Sequence, residues 1–441
     1  MVAYTEVSTE NLSDLYDVIL DKVSHAQYIA IDCEFTGHLR DLITNMEHRY
    51  DGMAQVVRSH TILSVGLTTI TADRKFDNFE FLLNNQTPYQ SNAANLKFLA
   101  ENGFDFNRHY SVGIPFRPGP FSATSQATAA VKSNGSSNTL NKNKNTLKGK
   151  LAAHQRQKLI AEKQERQIRE LWFDIFNLLR TKNIPLIVHN GLLDLMYIYQ
   201  CFITSLPAKL SGFVADMVEA FPGGIYDTKY IANHVSYEQT TFLAYLYHKY
   251  SRTGFKVQVQ QALVPTRNSH DSTTDDNIRS NKRQRTDTSD DNKKVKVDVC
   301  NSFAARGWCA DGQACERSHD INRILDRDQK VDTITMKSPT PSTTTIPTTP
   351  SEQGQQSASS LPQKSNSGPK KEHSSHYDAY MTGYTFCYMT TQYQGDALQN
   401  EMNKLNIMKL DVPLRITKSN YAKPTLQWNM AQQHLQNRLK R

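Results

Sequence analysis

A short apolar segment that ends in two carboxylates constrains this fold more than any other feature of the chain. Residues 28–35, with the sequence YIAIDCEF, have the length and composition of a buried strand, but Asp32 and Glu34 lie near its end. Side chains two residues apart on a strand point to the same face, so the two carboxylates lie side by side. Because desolvating an unpaired carboxylate is costly, the fold must supply partners for both, and such hard oxygen ligands suit Mg²⁺ or Mn²⁺. By itself, the pair also fits a surface turn.

The segments around this strand alternate between strand and helix patterns, which favours a mixed α/β sheet flanked by helices. The predicted elements, in chain order, are a helix at 11–25, strands at 28–35, 61–70 and 76–83, a basic helix at 151–181, a strand at 184–190 and an apolar helix at 191–202.

Polar tracts interrupt the predicted sheet. Mean hydropathy is −0.59 and hydrophobic residues make up 38% of the chain, so part of the chain is predicted to be unfolded. Residues 117–150 are dominated by Ser, Thr, Asn, Gln, Gly and Lys, and we predict a disordered insert there. A Ser/Thr/Pro/Gln tract follows at 333–370.

A cluster of cysteines and histidine predicts a bound zinc ion. Cys300, Cys309, Cys315 and His319 offer three thiolates and one imidazole, a closed tetrahedral set typical of structural Zn²⁺. The alternative is three unrelated thiols near a surface histidine. Half of the six cysteines fall in this window, which favours the metal and a reducing compartment over a disulfide framework.

The spacing of this cluster resembles the CCCH class of zinc finger, which usually binds single-stranded RNA. The resemblance makes Phe303 and Trp308 the candidates for stacking on bases. The alternative is that both rings pack over the zinc core.

Charge and targeting features predict a soluble, nuclear protein with an anionic partner. The formal charge is +8 and the pI is near 9.0, although a basic tail that only aids solubility also fits. The run at 281–297 has the pattern of a bipartite nuclear-import signal, or equally of a nucleic-acid patch or a solvated linker. Its two clusters are Lys282, Arg283 and Arg285, then Lys293, Lys294 and Lys296. The N-terminus lacks a signal-peptide pattern, and no apolar run approaches the roughly 20 residues that span a bilayer.

Two later segments supply acidic groups that complement the first pair. Asp194 lies in the first turn of the predicted apolar helix at 191–202, although an exposed helix position is the alternative. His373 precedes Asp378 by five positions at the start of another apolar helix. This spacing can bring an imidazole that acts as general base and a carboxylate that binds metal to one cleft.

These motifs together resemble the DEDDh superfamily of 3′→5′ exonucleases, and more closely the CAF-one and poly(A)-specific ribonuclease family, in particular its nuclear members with a CCCH finger. The resemblance covers most of 20–250, 299–325 and 371–420. It is carried by the segments AIDCEFTG, NGFDFNRHYSVGIPF, IVHNGLLDLMYIY, IYDTKY and YDAYMTGY.

The resemblance implies an RNase H-like fold that holds two divalent ions, Mg²⁺ or Mn²⁺, and a general base that completes the site. The implied metal ligands and base are Asp32, Glu34, Asp194 and Asp378, with His373. It also implies RNA with a free 3′ end as substrate, including adenylated small nuclear RNA precursors, and release of 5′-monophosphates. The resemblance further implies a nuclear location, in the nucleoplasm, Cajal bodies or nuclear speckles. It implies a nuclear import receptor as a partner, and no membrane partner.

One departure from the family pattern leaves the base open. The family usually places Ala-Gly where this chain has Ser375 and His376, so His376 is an alternative to His373. Asp227 in IYDTKY is a familiar family position, which we interpret as structural.

The predicted domain organisation is a nuclease domain divided by a finger and two linkers. Its parts are the main nuclease part at 1–260, a basic linker at 261–298, the finger at 299–325, a low-complexity linker at 326–370 and the C-terminal completion of the nuclease at 371–441. An inactive RNA-binding adaptor is the alternative function. A single finger without a tandem array disfavours a DNA-reading regulator.

Overall fold

The computed structural model describes residues 2–38, 45–120, 144–263, 298–335, 373–393 and 395–439. Most of the predicted disordered insert and both basic clusters of the predicted import signal lie outside these residues.

Among the described residues, ten strands form one mixed sheet in the order β1-β4-β3-β2-β6-β7-β9-β10, with β5 and β8 also paired to β4. The strands are β1 (Thr5–Val7), β2 (Tyr28–Phe35), β3 (Ile62–Ile70), β4 (Lys75–Asn85), β5 (Ile114–Phe116), β6 (Leu186–Val188), β7 (Ile225–Asp227), β8 (Gln258–Val259), β9 (Lys404–Leu405) and β10 (Leu414–Arg415). Strands β2, β3 and β4 are antiparallel neighbours, whereas β6 and β7 run parallel to β2.

Helices cover both faces of this sheet. They are α1 (Leu12–Ser24), α2 (Met46–Ser59), α3 (Ala93–Glu101), α4 (Phe106–Val112), α5 (Lys144–Thr181), α6 (Leu192–Ile198), α7 (Leu210–Ala220), α8 (Thr228–His234), α9 (Leu243–Ser251), α10 (Asn301–Arg306), α11 (Ile321–Thr335), α12 (Ser375–Gln392) and α13 (Leu426–Leu439). Among the helices of the described part of the chain, none is long and apolar enough to cross a membrane.

Successive side chains of β2 point alternately into two cores, and this alternation sets the direction of Asp32 and Glu34. Ile29 and Ile31 belong to the core beneath α1 and α5, whereas Ala30 belongs to the core beneath α12. Because side chains two residues apart share a face, Asp32 and Glu34 point to the α12 side of the sheet.

The region of the cysteine cluster packs on the central sheet through α9. Ile324 and Leu325 are buried in the α12-side core. The Arg252 guanidinium lies 2.8 Å from the carboxylate of Asp326, and the Tyr245 hydroxyl donates to Asp328 at 3.0 Å. The predicted finger and the helix that follows it therefore pack against the helices that cover the sheet.

Two segment predictions differ from the structure. Helix α5 begins at Lys144, so the last residues of the predicted 117–150 insert are helical. Helix α11 continues to Thr335, past the boundary at 325 where a linker was predicted. The polar composition of these segments gave no sign of either extension. Polar residues can nevertheless continue a helix, because adding a residue costs little once the helix is nucleated.

Candidate active site

Three carboxylates from distant parts of the chain converge where β2 ends. Asp32 and Glu34 of β2 and Asp378 of α12 each place a carboxylate oxygen so that all three oxygens lie within 4.8 Å of one another. Asp378 lies in the first turn of α12, where the helix dipole carries partial positive charge that favours a nearby anion. The tertiary structure thus joins residues that are more than three hundred positions apart.

The fourth predicted carboxylate borders the same cleft. Strand β6 runs parallel to β2, so both strands end at the same edge, and α6 begins just beyond β6. Asp194 lies in the first turn of α6 and lines the cleft, outside the group of three. Burial raises its pKa to about 7, although hydrogen bonds from Cys33 act in the opposite direction.

The carboxylates of this cluster are buried close together, and their negative charge needs to be neutralised. Burial raises the pKa of Asp32 well above its ordinary value, and the neighbouring Asp378, Asp194 and Glu34 raise it further. The pKa of Glu34 is raised by burial and then by Asp378 and Glu80. Four acidic groups in one buried cleft repel one another unless cations neutralise them.

His373 lies at the rim of this cleft. Its Nδ1 is 3.7 Å from Oδ2 of Asp378, and 36% of its side chain is exposed. The ring of Phe98 from α3 is tilted against it, with the ring centroids 5.3 Å apart. The imidazole therefore faces both the carboxylate cluster and solvent.

His376, the alternative base, faces a different environment. Its ring stacks on Tyr4 with centroids 3.6 Å apart, and its Nδ1 lies 3.1 Å from Oε2 of Glu80. The side chain is buried and does not line the cleft that contains His373. The geometry thus favours His373 as the group with access to a substrate.

A glycine on β3 allows α12 to approach the sheet so closely. Gly66 pairs with Asp32 in the β2–β3 register. A Cβ atom at this position would overlap the backbone carbonyl of Ser375 and lie 2.6 Å from the backbone nitrogen of His376. Only glycine at this position leaves room for the first turn of α12 to pack against the middle of the sheet. This turn carries Asp378.

Asp227 holds the loops around the site instead of lining it. Its Oδ1 accepts hydrogen bonds from the backbone N–H groups of Asn190, at 2.8 Å, and Lys229, at 3.0 Å. Its Oδ2 accepts from the backbone N–H of Asn406 at 2.9 Å. Both oxygens are occupied by backbone donors, which supports the structural interpretation.

The cleft also contains residues that sequence reasoning missed. It has a volume of about 380 Å³. The missed lining residues are Arg49, Phe98, His189 and Asn406. Arg49 donates to the backbone carbonyl of Met408 at 2.8 Å, and 41% of Phe98 is exposed. They come from four separate elements or loops. His189 lies in the segment IVHNGLLDLMYIY but carried no prediction, and only the fold brings it together with the other three.

The predicted zinc ligands form a second compact cluster. One ligand atom from each of Cys300, Cys309, Cys315 and His319 lies within 4.8 Å of all the others. The pKa of the Cys300 thiol is lowered to about 6, and the largest cause is a hydrogen bond from the backbone N–H of Phe303. A thiolate and an imidazole nitrogen at this spacing fit the tetrahedral coordination of zinc.

The two aromatic candidates of the finger have different surroundings. Phe303 stacks on the zinc-ligand candidate His319, with centroids 4.4 Å apart, and packs edge-on against Phe242 at 5.8 Å. Trp308, in contrast, is 58% exposed. Phe303 therefore joins the finger to the nuclease part, and Trp308 remains available at the surface.

Comparison with known proteins gives the class to which this fold and site belong. The model of the CAF1 family ribonucleases matches residues 7–386, and the chain belongs to this family. The match confirms the predicted fold class, an RNase H-like mixed sheet flanked by helices.

Two curated proteins are similar to part of the chain. An uncharacterized protein of Schizosaccharomyces pombe is 30% identical over 127 residues, which are 25% of this chain and 30% of that protein. The pre-piRNA 3′-exonuclease trimmer of Bombyx mori is 29% identical over 128 residues, 25% of this chain and 24% of that protein. The matched regions thus span less than a third of these relatives.

Solved structures of Pop2 proteins are also similar. The S. pombe Pop2p structure with bound Mg²⁺ and Mn²⁺ has 16% identity and a TM-score of 0.38, covering 56% of this chain and 82% of that one. The RNase domain of yeast Pop2 has 16% identity and a TM-score of 0.37, covering 56% of this chain and 74% of that one.

Proposed function

We propose that this protein is a metal-dependent 3′→5′ exoribonuclease that shortens oligo(A) or poly(A) tails of RNA. The observation that carries the proposal is the convergence of Asp32, Glu34 and Asp378 within 4.8 Å in a chain of a ribonuclease family. Asp194 and His373 border the same cleft, so all five residues predicted for catalysis line one space.

The donor set fits two divalent cations. Asp32, Glu34, Asp194 and Asp378 would hold Mg²⁺ or Mn²⁺, because clustered carboxylate oxygens are the preferred ligands of these hard ions. Bound ions supply Lewis-acid stabilisation of the negative charge that develops on a phosphodiester during hydrolysis. The raised pKa values of Asp32 and Glu34 support this proposal, because burial and the neighbouring carboxylates disfavour their charged forms unless cations neutralise them.

In this proposal His373 acts as the general base. Its position beside Asp378 at the rim lets Nδ1 or Nε2 accept a proton from a water molecule that attacks the terminal phosphodiester. Phe98, partly exposed beside His373, offers a surface on which the last base can stack. Water attack at phosphorus, with the 3′ oxygen of the preceding nucleotide leaving, releases a nucleoside 5′-monophosphate.

The finer assignment rests on the finger and the basic linker. A CCCH finger inserted before the last nuclease motif is similar to the arrangement in the nuclear deadenylase called target of early growth response protein one. By this similarity we extend the proposal to a nuclear enzyme that trims tails such as those of small nuclear RNA precursors. The basic clusters around Lys282 and Lys293 would bind an import receptor.

A trimming assay tests the proposed activity. RNA labelled at its 5′ end and terminating in oligo(A) is expected to shorten stepwise with Mg²⁺ or Mn²⁺, and the same RNA with a 3′-phosphate is expected to resist. Oligo(U) and oligo(C) tails measure the preference for adenosine. RNA binding without shortening in either metal would instead support the inactive adaptor.

The variant Gly66→Ala is expected to lower kcat about 100-fold with little change in KM, because a misplacement of about 1 Å in a catalytic constellation has effects of this size. The added methyl group overlaps the Ser375 carbonyl and displaces Asp378 and His373 from Asp32. Steady-state kinetics on oligo(A) measure the effect.

The control for this variant is a destabilising glycine substitution elsewhere. Gly254 has a φ of +82° and open space around its Cβ position, so Gly254→Ala strains the backbone by about 1–2 kcal/mol without moving the site. If Gly66→Ala loses no more activity per folded molecule than Gly254→Ala does, the positioning role of Gly66 is wrong.

A further inference from the structure

A second groove adjoins the candidate active site. It has a volume of about 740 Å³ and lies between α9, the zinc finger and the first turns of α12. His373 and Asp378 line both this groove and the carboxylate cleft. The two spaces therefore adjoin at these two residues, one of which is the proposed general base.

We propose that this groove holds the nucleotides immediately 5′ of the terminal nucleotide, so that the finger and the nuclease bind one RNA strand at the same time. The proposal rests on the proposed exonuclease activity. Once the 3′-terminal nucleotide occupies the carboxylate cleft, the rest of the strand must leave it, and this groove is the space that continues past His373.

The groove has the chemistry of a single-strand binding surface. Phe242, Phe303 and Tyr377 line it with aromatic rings, and bases of any sequence stack on such rings. Arg306 of the finger also lines the groove, is exposed, and makes no ion pair with the described side chains. Its guanidinium is free to bind a backbone phosphate, for which arginine has suitable planar geometry.

The finger wall of the groove is held rigidly against the nuclease. Gly307 ends α10 with a φ of +70°, and a Cβ there would lie 2.8 Å from the Phe242 ring. The Thr240 hydroxyl donates to the backbone carbonyl of Ala304 at 3.3 Å. Because Arg306 immediately precedes Gly307, its backbone is held against the beginning of α9.

This arrangement predicts that the enzyme distinguishes RNA by length. A dinucleotide places one nucleotide in the cleft and one in the groove and has no phosphodiester beyond the scissile one, whereas an oligo(A) of about ten nucleotides supplies further phosphates along the finger wall. The finger would thus contribute to affinity for tails and not to the chemistry at the last phosphodiester.

The test compares Arg306→Glu with Arg317→Glu on long and short substrates. Arg317 is also an exposed arginine of the finger but does not line the groove. The preference for an oligo(A) of about ten nucleotides over a dinucleotide, as a ratio of kcat/KM, is expected to fall about tenfold for Arg306→Glu, the size of one lost charged contact. For Arg317→Glu the ratio is expected to stay at the wild-type value.

Either of two results would overturn the groove assignment. One is an unchanged ratio for Arg306→Glu, and the other is an equal fall for both variants, which would show only a general charge effect. If wild-type protein cleaves neither substrate, the exonuclease proposal fails separately. Fluorescence anisotropy with the labelled oligo(A) then tests the groove assignment independently of catalysis. Weaker binding by Arg306→Glu than by Arg317→Glu supports the assignment, and equal binding overturns it.

Discussion

Asp32→Asn is expected to lower the trimming rate by at least about 10³-fold, which corresponds to about 4 kcal/mol of lost transition-state stabilisation. Asp32 lies among the other carboxylates of the cluster, since Asp378, Asp194 and Glu34 all raise its pKa. Asparagine keeps the shape of the side chain but removes a negative oxygen ligand. The rate of 5′-monophosphate release from oligo(A) under saturating Mg²⁺ measures the loss.

The same variant should be more stable than wild type when metal is removed. A carboxyl whose pKa is raised on folding destabilises the native state once the pH exceeds its unfolded value, about 4 for aspartate. In chelator, the stability advantage of Asp32→Asn is therefore expected at pH 7 and should vanish near pH 4, as thermal unfolding can show. This opposite change in stability and activity distinguishes a functional carboxylate from a structural one.

Asp17→Asn is the matched control for this experiment. Asp17 is exposed on α1, away from the carboxylate cleft, and the substitution removes the same charge. Its activity and metal-free stability should match the wild type. Trimming by Asp32→Asn at the wild-type rate would overturn the assignment of the cleft as a two-metal site.

His319→Gln is expected to abolish zinc binding and to unfold the finger. Structural zinc contributes roughly 10–16 kcal/mol of binding free energy in isolated finger peptides, far more than so short a segment gains from packing. Ala304, Ile324 and Leu325 would leave the core they share with α9 and α12, so the melting temperature of the nuclease part should fall as well. Metal analysis and protease cleavage within 298–335 measure the two effects.

A conservative variant separates loss of zinc from loss of packing. His319→Cys is expected to retain about one zinc, because four cysteines also form structural sites. His48→Gln, at an exposed position of α2, controls for the histidine substitution itself. If His319→Gln protein still binds one zinc and resists protease, the four residues are not a zinc site.

Local patterns predicted the elements that carry the site. The apolar run of β2 and the acidic groups Asp32 and Glu34 are neighbours in sequence, and a period of two residues is enough to put both carboxylates on one face. The cysteine spacing likewise predicted a compact cluster, because Cys300 and His319 are close along the chain. The extents of α5 and α11 were missed, because a polar sequence does not reveal how far a nucleated helix propagates.

From short-range periodicity and residue chemistry the sequence alone predicted a mixed α/β sheet and the cluster of three cysteines and one histidine, and its resemblance to a known family supplied the four carboxylates and the two candidate bases. Only the tertiary structure put Asp378 beside Asp32, left room for this approach at Gly66 and turned His376 towards Glu80 while His373 faces the cleft. It alone also joined the finger to the site through one groove. These are contacts between residues far apart in the chain, and they depend on the packing of α12 and α9 on one sheet, which no local pattern encodes.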